Sequence, residues 1–236
     1  GLLAGGVAHD FNNILTSIIG QNDMALIKLP EDDDARPHIE NAARAAQFAT
    51  RLAHQLLTLA RGEEVAAESF NLNTLIQENE ILLRMLLLNN AALELSLSHE
   101  GPIIFARQLD LQQVLLNLVV NAAQALPEKG GKISVRTRIT RQAHDQRLSQ
   151  SRHGRFPHGF VMLQIEDNGS GIDQATLAKI FEPHFTTRQT GKGMGLNLVQ
   201  QIVANYNGGI TVDSQPGHGT TFTIFLPYQS LSAPIN

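Results

Sequence analysis

Ile165-Glu166-Asp167-Asn168-Gly169-Ser170-Gly171-Ile172 follows directly on an apolar run, Phe160–Glu166, that reads as a β-strand. A carboxylate at a strand end can accept a hydrogen bond from an adenine amino group. The two glycines let backbone approach a nucleotide closely. Taken alone, the same residues also make an ordinary turn. Working outward, further strands read at Leu93–Ser98, Ile103–Ala106, Lys132–Ile139, Ile210–Ser214 and Thr220–Leu226, with helices at Asn71–Leu88, Leu109–Leu126 and Leu196–Asn207. From about Phe70 onward this mixture predicts an α+β fold, a mixed and mainly antiparallel sheet covered on one face by helices.

Before Phe70 the texture changes. Gly1 to Arg61 is helical in pattern, and Pro30-Glu31-Asp32-Asp33-Asp34 divides it into a helical hairpin. Phe11, Ile14, Leu15, Ile18, Ala25, Leu26 and Leu29 gather on one stripe of the first helix, with His9 roughly opposite. Ile39, Ala43, Ala46, Ala53, Leu56, Leu57 and Ala60 form the stripe of the second. Two such helices bury little surface alone. Pairing two hairpins into a four-helix bundle, as a homodimer, is the expected remedy.

Composition narrows the function classes. Of the 236 residues, 42% are apolar and 17% charged, as suits a globular chain with a real core. A net charge of -4 argues against a general nucleic-acid binder. With no cysteine, disulfides and thiol chemistry are excluded. No apolar stretch approaches the roughly 18 residues of a membrane span. The expectation is a cytoplasmic fragment, starting Gly1-Leu2-Leu3-Ala4, of a protein in which a sensor region or membrane anchor could come first.

Five constellations carry chemistry. In Ala8-His9-Asp10-Phe11-Asn12-Asn13, a solvent-facing His9 suits a phosphoryl acceptor, and Asp10 can take the proton from one ring nitrogen. Asn13, one turn on, could position water for the reverse, hydrolytic reaction; an ordinary surface histidine is the plain alternative. Asn117 and Asn121 stand four apart on one helix face, and amide oxygens suit Mg²⁺. A pair of polar residues crossing a buried helix would look the same. The third constellation is the Asp167 turn. The fourth runs Phe181-Glu182-Pro183-His184-Phe185-Thr186-Thr187-Arg188, then Gly191-Lys192-Gly193-Met194-Gly195-Leu196. There a glycine loop opening onto a helix presents N–H groups to phosphate, while Arg188 and Lys192 add charge. The glycines and threonines of this stretch suit a lid. The fifth, Gly217-His218-Gly219-Thr220-Thr221-Phe222, is a glycine turn into the last strand.

In this order, over essentially the whole chain, the motifs resemble those of the sensor histidine kinases of two-component signalling. Residues around His9 are similar to the H box, Asn117–Asn121 to the N box, and Asp167–Gly171 to the first G box. Phe181–Phe185 resembles the F box, Gly191–Gly195 the second G box and Gly217–Thr220 a short third one. The resemblance implies a dimerisation and phosphotransfer domain at 1–61, a linker at 62–69, an ATP-binding domain of the gyrase and Hsp90 kind at 70–228, and a tail at 229–236. It implies autophosphorylation of His9 by ATP, with Asp10 as base and Asn13 as the phosphatase residue. Relay to an aspartate of a response-regulator receiver domain would follow.

By the same resemblance Asn121, supported by Asn117, holds Mg²⁺ and Asp167 reads adenine. Asn168, Gly169, Gly171, Thr187, Arg188, Lys192, Gly193, Met194, Gly195, Leu196 and Thr220 complete the nucleotide site. Three departures stand out. His184 falls where many relatives carry phenylalanine, and Gln124 where the residue is often charged. The stretch Arg141–Gly159 is longer than a tight hairpin requires and holds four arginines and three histidines. Two other readings stay open: a phosphotransfer scaffold with a degenerate nucleotide domain, and a conformational ATPase.

Overall fold

The computed structural model describes residues 2–30, 32–40, 42–43, 46, 66–87, 91–140, 159–183, 185–186 and 195–229, with the side chains of residues 2–13 left aside. The chain divides into two compact units, Gly1–Val65 and Ala66–Asn236.

In the first unit, helix α1 (Leu2–Lys28) runs unbroken through the backbone of His9, Asp10 and Asn13. Past Pro30 the chain turns. The Asp33 carboxylate accepts the Ala35 N–H at 2.8 Å, and Arg36 Nη1 donates to the Leu26 and Leu29 carbonyls at 3.2 and 3.1 Å. Those carbonyls end a helix and have no partners further along it, so a cation there is favourable. Residues 36–40 are helical again. Leu15, Ala43 and Ala46 are buried, whereas Ile14 and Ile18 are 57% and 43% exposed. Only one side of the predicted α1 stripe is therefore covered. Ala53, Leu56, Leu57 and Ala60 lie outside the described residues.

In the second unit a five-stranded sheet has the order β2-β4-β5-β7-β6, formed by Ala92–Ser96, Lys132–Thr140, Phe160–Asp167, Gly219–Pro227 and Gly209–Gln215. Only β2 and β4 run parallel, and the other three pairings are antiparallel. A separate ribbon pairs β1 (Glu68–Asn71) with β3 (Ile103–Ala106). The unit's described residues also form helices α2 (Leu72–Glu78), α3 (Glu80–Leu86), α4 (Gln108–Ala125), α5 (Gln174–Leu177) and α6 (Gly195–Asn205).

The core forms where the period-2 face of the strands meets the 3.6-period face of the helices. Ile133 and Val135 of β4, Val161, Leu163 and Ile165 of β5, and Phe222, Ile224 and Leu226 of β7 are buried in one cluster with α4. Helix α4 contributes Leu111, Val114, Leu115, Leu118, Val119 and Ala122 at helical spacing. It stops at Leu126, which is extended because Pro127 follows. Val199, Ile202 and Val203 dock α6 beside it. The other sheet face pairs Glu166 with Arg136 and Lys132 with Glu94, and at its far end buries a small separate cluster of Phe160 and Phe225 with Met162 packed against it.

The single helix expected over Asn71–Leu88 is instead two, α2 and α3. Asn79 is the reason: its buried amide donates to the Leu75 carbonyl at 2.8 Å and accepts from Gln112 at 2.6 Å, a back-bond that bends a helix. Strand β1, whose Glu68 and Ser69 fall in the stretch read as linker, and the one-turn α5 were not anticipated. No helix among the described residues is long and apolar enough to cross a membrane.

Candidate functional site

Strand β5 ends in Asp167, and its inward-facing period places that carboxylate on the helix-covered side of the sheet. The residue is only 6% exposed. Oδ1 accepts the Gly169 N–H at 2.8 Å and the Thr220 N–H at 3.3 Å. Burial pushes the carboxyl above the usual aspartate range, against the pull of those two N–H groups. Thr220 is its cross-strand partner on β7 and equally buried.

The turn after Asp167 is pressed between two pieces of backbone. A Cβ on Gly169 would lie 2.4 Å from the Ala125 carbonyl oxygen, at the end of α4. Gly171 has φ +68, and a Cβ there would lie 2.0 Å from the Gln215 carbonyl oxygen. No other residue fits either position without moving backbone. Asn168 turns the other way. Its Oδ1 accepts the Lys132 N–H at 2.8 Å and its Nδ2 donates to the Gly130 carbonyl at 3.0 Å, so it holds the start of β4.

On α4, Asn117 and Asn121 are both half-buried. The Asn117 Nδ2 is buried with no partner, and a Cβ on Gly195 would lie 3.6 Å from Asn117 Oδ1. The N-terminal end of α6 therefore abuts Asn117, and Leu196 packs on the common core. Among the described residues no cluster of His, Asp and Glu could hold a metal by itself. A hard cation here would depend on amide oxygens and on a ligand's own oxygens, which the Asn117 and Asn121 pair can accommodate.

The structure thus brings together Asp167, Gly169, Gly171 and Thr220 at one end of the sheet, and Asn117 with Gly195 at the junction of α4 and α6. Thr187, Arg188, Lys192, Gly193 and Met194 lie outside the described residues. So do His184 and residues 141–158 of the basic stretch. His9, Asp10 and Asn13 belong to the first unit. An open cleft of about 650 Å³ between α5 and β6 is lined by Asp167, His218 and Gly219 but includes neither Asn117, Gly169 nor Thr220. It joins two of the motifs and leaves out the α4 amides.

Two contributors escaped sequence reasoning. Asn197 on α6 donates to the Phe181 carbonyl at 2.9 Å, which ties the stretch before the glycine loop to α6. Ser214 on β6 bonds both the Asp167 turn and the start of β7. An asparagine in a helix and a serine in a strand carry no motif signal.

Two family models match the chain. "Histidine kinase-, DNA gyrase B-, and HSP90-like ATPase" covers residues 106–230, and "His Kinase A (phospho-acceptor) domain" covers 1–65. Sensor kinase CckA of Brucella abortus (strain 2308) is 41% identical over 234 residues, 96% of this chain and 24% of that protein. Signal transduction histidine-protein kinase AtoS of Escherichia coli (strain K12) is 34% identical, again over 96% of this chain and over 34% of its own length. The chain thus spans about a quarter to a third of these relatives. Among solved structures, the mycobacterial sensor histidine kinase MprB matches with a TM-score of 0.56 at 25% identity, covering 70% of this chain and 100% of that one.

Proposed function

This chain belongs to the sensor histidine kinases, and we propose that it uses ATP to phosphorylate its own His9. The observation that carries the reading is the Asp167 carboxylate, buried at the end of β5 and held through one oxygen by two backbone N–H groups. A costly buried carboxylate of this kind is best explained by a ligand that uses its other oxygen. The adenine amino group has the matching chemistry.

In this reading Asp167 and Thr220 orient the base, and Gly169 and Gly171 let the backbone lie against it. Asn168 keeps the turn in register from behind. Asn117 and Asn121 supply amide oxygens for Mg²⁺, which when bound offsets charge on the β and γ phosphates. Gly195 and Leu196, opening α6, offer N–H groups to phosphate, with Thr187, Arg188, Lys192, Gly193 and Met194 forming the preceding lid. A ring nitrogen of His9 forms the new P–N bond as the β–γ bridging P–O bond breaks and ADP leaves. The displaced imidazole proton goes to Asp10.

The domain assignment follows: dimerisation and phosphotransfer over 1–61, linker over 62–69, nucleotide binding over 70–228 and a tail over 229–236. We assign the homodimer to the half of the α1 stripe left exposed at Ile14 and Ile18. An aspartate on a response-regulator receiver domain would take the phosphoryl group from His9. Asn13, one turn along α1, would orient water for the opposite, phosphatase reaction.

The chemistry is tested by peptide mass spectrometry at alkaline pH after incubation with ATP and Mg²⁺. The added phosphoryl group is expected on the His9 peptide. Finding it on another histidine, or finding only ADP and free phosphate, would overturn the assignment and favour a conformational ATPase.

A further inference from the structure

We infer that Ser214 is a positioning residue that sets base selectivity by fixing the hydroxyl proton of Thr220. The inference rests on the reading of Asp167 and Thr220 as the base-binding pair, and adds to it a residue that no motif marks.

Ser214 Oγ has three partners. It accepts the Ile172 N–H at 2.8 Å, and it lies 2.9 Å from the Gly219 carbonyl oxygen and 2.9 Å from Thr220 Oγ1. A hydroxyl has one proton and two lone pairs. A carbonyl oxygen only accepts, so the Ser214 proton belongs to Gly219. The contact with Thr220 then works in one direction, with Thr220 donating. All three bonds are satisfied in that arrangement alone.

The consequence falls on the base site. With its proton committed to Ser214, the Thr220 hydroxyl has only lone pairs to offer a ligand. Asp167 and Thr220 are direct cross-strand partners on the helix-covered face. Asp167 Oδ1 receives both backbone N–H bonds, and Oδ2 has no partner among the described residues. The pair therefore presents acceptors only. A 6-aminopurine meets such a pair with its amino N–H, whereas a 6-oxopurine in the same pose puts the lone pairs of O6 where that donor stood. Removing the Ser214 hydroxyl frees Thr220 to rotate and donate to a 6-oxo group.

The test is titration of the full chain with ATP and with ITP at equal Mg²⁺, comparing wild type with Ser214→Ala and Ser214→Thr. Wild type is expected to prefer ATP. In Ser214→Ala the ATP-to-ITP preference should shrink by about tenfold, one hydrogen bond's worth of discrimination, chiefly through tighter ITP. Ser214→Thr should restore it. An unchanged ratio in Ser214→Ala, or equal weakening of both nucleotides, overturns the inference. Should that variant not fold, Thr220→Val removes the fixed lone pairs and is expected to shrink the same ratio; an unchanged ratio there also overturns it. A wild-type chain that binds neither nucleotide overturns the reading of Asp167 itself, and is told apart by that result.

Discussion

The Ser170 N–H donates to the Ala125 carbonyl at 3.0 Å, so the glycine turn after β5 caps the helix that carries Asn117 and Asn121. The Asp167 end of the site and its amide face are thus parts of one backbone joint. Gly169 sits inside that joint, where a Cβ would lie 2.4 Å from the Ala125 oxygen.

Gly169→Ala should therefore force the turn away from α4. The expected cost is about 2 kcal/mol of stability, as for other overpacked sites, together with loss of most nucleotide affinity. Urea unfolding and ATP titration of the same sample check both. A variant as stable and as tight as wild type would show that the joint can give.

Asp167 makes a pH prediction with a definite sign. Burial raises its folded-state pKa above the value of an unfolded aspartate. As pH falls, the native carboxyl takes up its proton earlier than an ordinary aspartate. Its ionised form thus costs stability at neutral pH, and acidification through the raised pKa relieves that cost. On the proposed base-binding role ATP affinity runs the other way, because protonation takes away the acceptor oxygen. Affinity should start to fall while ordinary aspartates are still ionised, and Asp167→Asn should be weak at all pH values. Identical pH profiles for the two proteins would contradict the role.

At the opposite end of the same helices, the Tyr206 hydroxyl donates to Asp110 and accepts the Arg107 N–H at 3.1 Å. Arg107 also clamps Asp110 through Nε at 3.0 Å and Nη2 at 2.9 Å. This network ties the start of α4 to the residue just past α6. Tyr206→Phe should cost about 2 kcal/mol, since one of the lost bonds is to a buried carboxylate. Chemical denaturation measures it, and a loss too small to resolve would mean that Arg107 alone satisfies Asp110.

The exposed half of the α1 stripe predicts assembly. Ile14 and Ile18 stand one turn apart and remain open in the single chain. Ile14→Lys with Ile18→Lys should convert a dimer to a monomer in sedimentation velocity while ATP binding by the second unit persists. A wild-type monomer, or a dimer that survives both lysines, would remove the assignment.

Where periodicity was strong, the fold was legible. The apolar run Phe160–Glu166 and the 3.6-residue period through Val114, Leu118 and Ala122 mark their elements to within a residue or two, because burial dictates both. Glu68-Ser69-Phe70-Asn71 has no such alternation, and it is a strand only because β3 offers it an edge. The bend at Asn79 was hidden because a buried asparagine looks like any polar residue until Gln112 arrives to bond it. At the site, Asp167 and the glycines announced themselves by spacing. Ser214 did not, since its role arises from three partners distant in sequence.

The central claim is most directly tested by incubating the purified chain with γ-labelled ATP and Mg²⁺, beside His9→Gln. The account predicts an acid-labile, alkali-stable phosphoprotein in wild type and none in the variant. Label of equal strength on His9→Gln would contradict it.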